Sequence, residues 1–266
     1  DEIIMDKTAH PIHYEGGAAA IISGATIQGL EGKNGIFTAE QLKKSIRTKD
    51  YHDPQSSLVS VEQTSNLGGG TIWPLETIKE VCSIAREYDL ATHMDGARML
   101  NAVASSGISA QEYAEPFDSV WFDLSKGLGA PVGSVLAGSQ EFIEKARYWK
   151  QRLGGAMRQA GIIAAGGIYA IQNNVERLKD DNRHAGQLAE GLADIDGIKI
   201  DTSRIDTNIV LFEVEDMDRE EFIDKMLSEG VRFSPLGQKY LRAVTHLHIS
   251  EADIEYAVKA VERVMS

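Results

Sequence analysis

An aspartate and a lysine that each follow an apolar run are the residues of this sequence best suited to chemistry. Asp95 follows the run 90–94, and Lys126 follows the run 118–124 within Ser125-Lys126-Gly127-Leu128-Gly129. A lysine amine can form a Schiff base with an aldehyde, and a carboxylate can keep a pyridine nitrogen protonated so that the ring accepts electrons. Either motif alone is typical of a strand end or an exposed loop, so the prediction depends on the pair.

The elements around both residues are typical of a parallel sheet flanked by helices. Strands are predicted at 57–61, 90–94 and 118–124, and helices at 38–47, 74–88 and 139–153. Thr38 and Gln41 are spaced as a capping box of the first of these helices. Open α/β sheets bind ligands beyond the carboxyl ends of their strands, where Asp95 and Lys126 both stand. We therefore expect these two side chains to converge at one edge of the sheet.

The second half of the sequence predicts a smaller α+β unit that follows long helical material at 159–192. Its strands are predicted at 198–200 and 208–214, near Val231 and at 241–249, and its helices at 219–229 and 251–265. Ser250 and Asp253 are spaced as the cap of the last helix. We predict two domains, residues 1–165 and residues 166–266.

The bulk composition excludes several classes of function. The net charge is −13, from 27 basic and 40 acidic residues, which argues against nucleic acid as a partner. The apolar runs are too short to cross a bilayer, so no membrane partner is expected. Cys82 is the single cysteine and lies in a helical pattern, which favours a core position. We expect a cytoplasmic protein without a metal site.

Several separated motifs, in order along the chain, resemble those of the threonine aldolases, the low-specificity L-threonine aldolase branch of the β-eliminating lyase family. They are Thr8-Ala9-His10, Tyr14-Glu15-Gly16-Gly17, Leu58-Val59-Ser60-Val61-Glu62, Asp95-Gly96-Ala97-Arg98, residues 125–133, residues 154–161, and Val244-Thr245-His246-Leu247. The resemblance covers nearly the whole chain. It implies a pyridoxal phosphate-dependent transferase-like fold of type I, with a mostly parallel sheet in the large domain and a smaller C-terminal domain.

The resemblance also implies a cofactor, pyridoxal 5'-phosphate, and roles for the residues that would hold it. Lys126 would form the Schiff base, and Asp95 would pair with the pyridine nitrogen. His10 would stack on the pyridine face and help to move protons. Arg98 would lie beside the cofactor oxygen or the substrate carboxylate. Arg158 would reach the cofactor phosphate from a neighbouring subunit, which implies a homodimer or homotetramer with shared active sites.

Two residues are expected at the amino acid substrate. Arg242 would bind the substrate carboxylate, a task that suits a bidentate guanidinium, although its position also fits an ordinary arginine on a strand. His52 would approach the β-hydroxyl group. The implied reaction is the retro-aldol cleavage of a β-hydroxy-α-amino acid, L-threonine or L-allo-threonine, to glycine and an aldehyde.

Other readings stay open at this stage. β-Elimination, racemisation and transamination use the same cofactor, and an inactive or truncated relative would keep the fold without the activity. The chain begins in what resembles a strand inside the family's large domain, so we expect the N-terminal part of that domain to be missing. The family commonly has Glu-Asn-Thr-His-Asn where this chain has Glu62-Gln63-Thr64-Ser65-Asn66. The hydrogen bonding of that loop, and with it the substrate preference, is therefore in doubt.

Overall fold

The computed structural model describes residues 1–48 and 50–266. Its larger sheet has six strands in the order β2-β1-β3-β4-β5-β6. They are β1 (Glu2–Asp6), β2 (Thr26–Leu30), β3 (Ser56–Glu62), β4 (Ala91–Gly96), β5 (Ser119–Asp123) and β6 (Ser134–Gly138). The first five strands are parallel, and β6 pairs antiparallel with β5. The predicted α/β fold with a mostly parallel sheet is therefore confirmed.

Helices connect these strands. They are α1 (His10–His13), α2 (Ala18–Ser23), α3 (Ala39–Ser45), α4 (Leu75–Glu87), α5 (Met99–Ser106), α6 (Ala110–Ala114), α7 (Gln140–Arg152), α8 (Gly161–Asn174) and α9 (Leu178–Ala193). The predicted capping box of α3 is confirmed, since Thr38 accepts from the backbone of Gln41 while the Gln41 side chain accepts from the backbone of Thr38. None of the described helices combines the length and apolar character that a membrane crossing requires.

The smaller sheet is antiparallel, with strand order β7-β8-β10-β9. It comprises β7 (Ile198–Ile200), β8 (Ile209–Val214), β9 (Ser234–Leu236) and β10 (Tyr240–Val244), and α10 (Arg219–Ser228) and α11 (Glu251–Met265) belong to the same unit. Two strand predictions here were wrong. No strand forms at Val231, and the strand predicted at 241–249 ends at Val244 because a turn follows, in which Ile249 donates to the His246 carbonyl.

Two main hydrophobic cores stabilise the chain. The first packs one face of the large sheet, including Val61 and Met94, against Phe37 and Trp73, whose rings meet edge to face at 4.9 Å. The second lies between the small sheet and helices α9, α10 and α11. A smaller cluster that includes Leu124 and Leu178 packs against Leu100 and Phe122, which also contact the first core. The domain division at 165/166 stays a prediction, and it would cut within α8.

Candidate active site

A row of side chains crosses the large sheet near its carboxyl edge. Glu62 on β3 pairs in register with Asp95 on β4, and Asp95 pairs with Trp121 on β5. Neighbours in register on parallel strands point to the same face, so these side chains are adjacent. The face opposite to theirs carries Val61 and Met94, which belong to the first core. The row therefore faces away from that core.

Lys126 lies next to this row because β5 ends at Asp123. Its Nζ is 3.3 Å from Oδ2 of Asp123 and 5.5 Å from the centroid of the Trp121 ring. Trp121 is the in-register neighbour of Asp95. The positive charge of Lys126 also lowers the pKa of Asp95. The fold thus brings Asp95 and Lys126 together at one edge of the sheet, as their positions after consecutive strands predict.

Asp95 is a buried acid, with 7% of its surface exposed. Burial raises the pKa of Asp95, and the negative charge of Glu15 acts in the same direction. The Ala97 backbone N–H, which donates to Oδ1 at 3.0 Å, and the charges of Lys126 and His10 oppose that rise. A cationic group placed against Asp95 would therefore relieve the cost of burying its carboxylate.

The turn that carries Lys126 is tightly packed. Asp123 accepts hydrogen bonds from the backbone and the hydroxyl of Ser125, at 2.7 and 2.6 Å. A Cβ atom on Gly127 would lie 2.8 Å from Leu178 and 3.1 Å from Asn101. A larger residue at position 127 would therefore force the side chains of Leu178 and Asn101 to shift.

Two guanidinium groups from different sheets meet at the site. Arg98 follows β4, and its backbone N–H donates to the Gln63 carbonyl at 3.1 Å. Burial lowers the pKa of Arg98 to about 10, aided by the charge of Arg242 and opposed by Glu62 and two aspartates. Arg242, on β10, donates from Nη1 to Oδ1 of Asn66 at 2.9 Å, while its buried Nε has no partner within the described residues.

His10 begins α1, directly beyond the carboxyl end of β1. Its Nδ1 is 3.0 Å from Oε1 of Glu15, and its ring centroid is 5.2 Å from that of Tyr14. The charges of His10 and Glu15 both act on the pKa of Asp95, so the three groups share this edge of the sheet. A histidine held at one nitrogen by a carboxylate has its other nitrogen free for a ligand.

The expectation that His52 approaches the substrate is not met within this chain. His52 precedes β3, so it lies at the amino edge of the sheet, and β3 extends about 3.3 Å per residue toward the opposite edge. Its side chain is 71% exposed, with Nδ1 2.8 Å from Oδ1 of Asp50 and its ring 3.7 Å from that of Tyr51. The direction of β3 separates His52 from Lys126 within one chain, and the contact of His52 with the substrate stays a prediction.

Arg158 is also outside the cluster formed by a single chain. It is exposed in the turn between α7 and α8. Apolar side chains of this turn and of its flanking helices are also exposed, including Trp149, Met157 and Ile162. Its predicted contact with a cofactor phosphate in a neighbouring subunit stays a prediction.

Several residues of the site were not assigned a role from the sequence. Glu62, Thr64, Asn66 and Asp123 belong to the loops and strand ends around Asp95 and Lys126. Glu62 and Asp123 show the same pattern that identified Asp95, because each is an acidic residue at the end of an apolar strand. No local sequence pattern indicates a role for Asn66, because the residue that it contacts, Arg242, is 176 positions away in the sequence.

Three of the buried polar atoms that lack a partner within the described part of the chain belong to residues of this site. They are Oε2 of Glu62, Oγ1 of Thr64 and Nε of Arg242. Unsatisfied buried groups are costly, so these atoms favour a polar ligand that would bond them. An amine, a buried carboxylate, an imidazole and two guanidiniums surround the same region, a set suited to an anionic substrate and an aldehyde-bearing cation.

The sequence of this chain is similar to those of known enzymes. The family described as beta-eliminating lyase matches residues 1–216. The low specificity L-threonine aldolase of Escherichia coli K12 is 36% identical over 255 residues, which cover 96% of this chain and 74% of that protein. The low-specificity L-threonine aldolase 1 of Arabidopsis thaliana is 34% identical over 270 residues, covering 99% of this chain and 75% of that protein. The chain belongs to the beta-eliminating lyase family.

A solved structure agrees on the fold. The threonine aldolase of Leishmania major superposes with a TM-score of 0.83 at 18% sequence identity, covering all of this chain and 78% of that chain. At that identity the likeness concerns the arrangement of the two sheets and their helices. The fold identified from the sequence, a pyridoxal phosphate-dependent transferase-like large domain with a smaller α+β unit, is therefore confirmed.

Proposed function

We propose that this protein is a pyridoxal phosphate-dependent aldolase that cleaves a β-hydroxy-α-amino acid, L-threonine or L-allo-threonine, to glycine and an aldehyde. The observation that carries the proposal is the buried carboxylate of Asp95 beside the Lys126 turn, on neighbouring parallel strands. Membership of the beta-eliminating lyase family supports it. The relatives named as low-specificity L-threonine aldolases support the choice of substrate.

The residues at this edge fit the cofactor. Pyridoxal phosphate, when bound, supplies an aldehyde that reacts with amines and a cationic ring that accepts electrons. Asp95 would hold the ring cation, since burial leaves its carboxylate in need of a positive partner. The Lys126 amine stands close enough to Asp95 to lower its pKa, so it is the amine available to the aldehyde. His10 and Arg98 would contact the ring face and its oxygen.

Arg242 would bind the substrate carboxylate. Its Nη1 is held by Asn66, and its buried Nε lacks a partner among the described residues. A guanidinium fixed in this way can receive a carboxylate without losing much side-chain freedom. Arg98, which feels the charge of Arg242, adds a second cation on the same side. Together they orient the amino acid.

His10 would carry the proton of the substrate hydroxyl group. Glu15 holds Nδ1 of His10, which leaves Nε2 to accept or return a proton. This assignment replaces His52, which lies at the other edge of the sheet in the same chain. A base oriented by a carboxylate is a common catalytic arrangement.

The products formed from L-threonine test the proposal. Purified protein supplied with pyridoxal phosphate and L-threonine is expected to release glycine and acetaldehyde in equal amounts. Ammonia with an oxo acid would indicate β-elimination, D-allo-threonine would indicate inversion at Cα, and an oxo acid formed only with an amino acceptor would indicate transamination. Cofactor binding without turnover would indicate an inactive relative. Any of these four outcomes would overturn the aldolase assignment.

The assembly and location of the protein are further proposals. The exposure of Arg158 beside exposed apolar side chains supports a homodimer or homotetramer in which this arginine reaches a neighbouring site. Sedimentation analysis of the purified protein tests the assembly. A cytoplasmic location is proposed from the single cysteine, Cys82, which is buried as a thiol in the first core.

A further inference from the structure

We propose that Glu62 is a positioning residue that carries the single proton of a buried carboxyl pair, so that Asp95 is the anion of that pair. Glu62 has no role in the family resemblance beyond its place in a motif. The effect on cofactor binding rests on the proposed function, whereas the shared proton is a property of the chain itself. The two parts can therefore be tested separately.

The geometry places two carboxyl groups side by side. Glu62 and Asp95 are partners in register on adjacent parallel strands, and both belong to the face that points away from the first core. Their exposed fractions are 8% and 7%. Two carboxylates at this spacing, both removed from water, repel strongly, so one of them keeps a proton near neutral pH.

The surroundings decide which carboxyl group is protonated. The Ala97 backbone N–H donates to Asp95, and the positive charge of Lys126 favours its anion. Oε2 of Glu62 is buried and has no hydrogen-bond partner within the described residues. An oxygen that lacks donors is better accommodated as part of a neutral acid.

The charged groups that face Glu62 agree with this assignment. Burial, followed by the negative charge of Asp95, raises the pKa of Glu62 to about 8. Three groups oppose that rise: the backbone N–H of Asn66, the charge of Arg98 and the charge of Lys126. Near pH 7 Glu62 is therefore largely neutral, and its O–H can donate a hydrogen bond into the site.

Glutamine reproduces the shape and neutrality of a protonated glutamate, which gives a direct test. Glu62→Gln, Glu62→Ala and the control Glu255→Gln, at an exposed position on α11, are compared as apoproteins by urea unfolding between pH 5 and 9. The raised pKa of Glu62 means that the wild type loses stability as pH rises from its unfolded value, near 4.5, toward 8. Glu62→Gln is expected to lose less over that interval, whereas Glu255→Gln follows the wild type.

Cofactor binding provides the second measurement, by absorbance titration with pyridoxal phosphate at pH 7. Glu62→Gln is expected to bind within about threefold of wild type, while Glu62→Ala, which removes the O–H donor that the neutral acid offers to the site, binds roughly tenfold more weakly. A pH-stability profile of Glu62→Gln identical to wild type would overturn the proposal. So would failure of Glu62→Gln to fold, or loss of cofactor binding in that variant alone. If the wild type does not bind the cofactor, the proposed function fails, and the unfolding comparison still decides the inference.

Discussion

Arg242 and Asn66 connect the two sheets at the site, with Nη1 of the arginine 2.9 Å from Oδ1 of the asparagine. Asn66 belongs to the loop after β3, and that loop is also held by the small unit. The Gly68 carbonyl accepts from Arg204 at 3.1 Å, and the Gly70 carbonyl accepts from Thr207 at 2.7 Å. The position of Arg242 therefore depends on the loop as well as on its own strand.

Loss of this contact is expected to weaken substrate binding. Asn66→Ala should raise the KM for L-threonine roughly tenfold with little change in kcat, because the guanidinium keeps its charge and loses its orientation. Arg242→Ala should lower kcat/KM by about 100-fold or more, since the carboxylate loses a bidentate partner. Steady-state kinetics measure both effects. Arg232→Ala, at an exposed position, serves as the control, and an equal effect there would count against a role for Arg242.

Lys126 is expected to form the covalent bond to the cofactor. Borohydride reduction of the protein loaded with pyridoxal phosphate should add the cofactor mass to the peptide that contains Lys126. Lys126→Ala should lose that mass and the activity, because Lys126 is the lysine of the described residues whose charge acts on Asp95. Lys179→Ala, an exposed lysine on α9, is the matched control and should behave as wild type. Labelling of the Lys126→Ala protein at the wild-type level would refute the assignment.

Local sequence patterns predicted many of the helices and strands, because helix caps and strand ends depend on residues that are close in the sequence. The cap of α3 at Thr38 and the cap of α11 at Ser250 formed as predicted. Asp95 and Lys126 were found because strand direction alone brings successive strand ends to one edge. The contact of Asn66 with Arg242 could not be predicted in this way, since it depends on how two separately folded sheets pack together.

The distance of His52 from Lys126 within one chain could not be predicted for a related reason. A motif match gives the order of residues along the sequence. It does not give the distance between two of those residues in the folded chain. His52 comes before β3 and Glu62 ends it, so the two stand at opposite edges of the sheet. The same strand-end rule that identified Asp95 would have selected Glu62, had it been applied to β3.

Asp95→Asn is expected to have opposite effects on the apoprotein and the loaded enzyme. Burial raises the pKa of Asp95, so its ionisation lowers the stability of the folded apoprotein as pH rises. The asparagine variant should therefore be more resistant to urea than wild type at pH 8, with a smaller difference at pH 5. Cofactor affinity and aldolase activity should fall, since the ring cation loses its anionic partner. Unfolding curves and absorbance titrations test the two effects, and unchanged cofactor affinity would argue against the contact.

A comparison of His10 with His52 tests which edge of the sheet performs the chemistry. His10→Gln should lower kcat by at least about tenfold while the cofactor still binds, because Nε2 no longer accepts a proton. Glu15→Gln should produce a smaller loss, since it removes the carboxylate that orients the ring. His52→Gln should stay within about twofold of wild type if each chain supplies its own base. A large loss in His52→Gln, with His10→Gln unaffected, would mean that the loop before β3 serves the site of a neighbouring subunit.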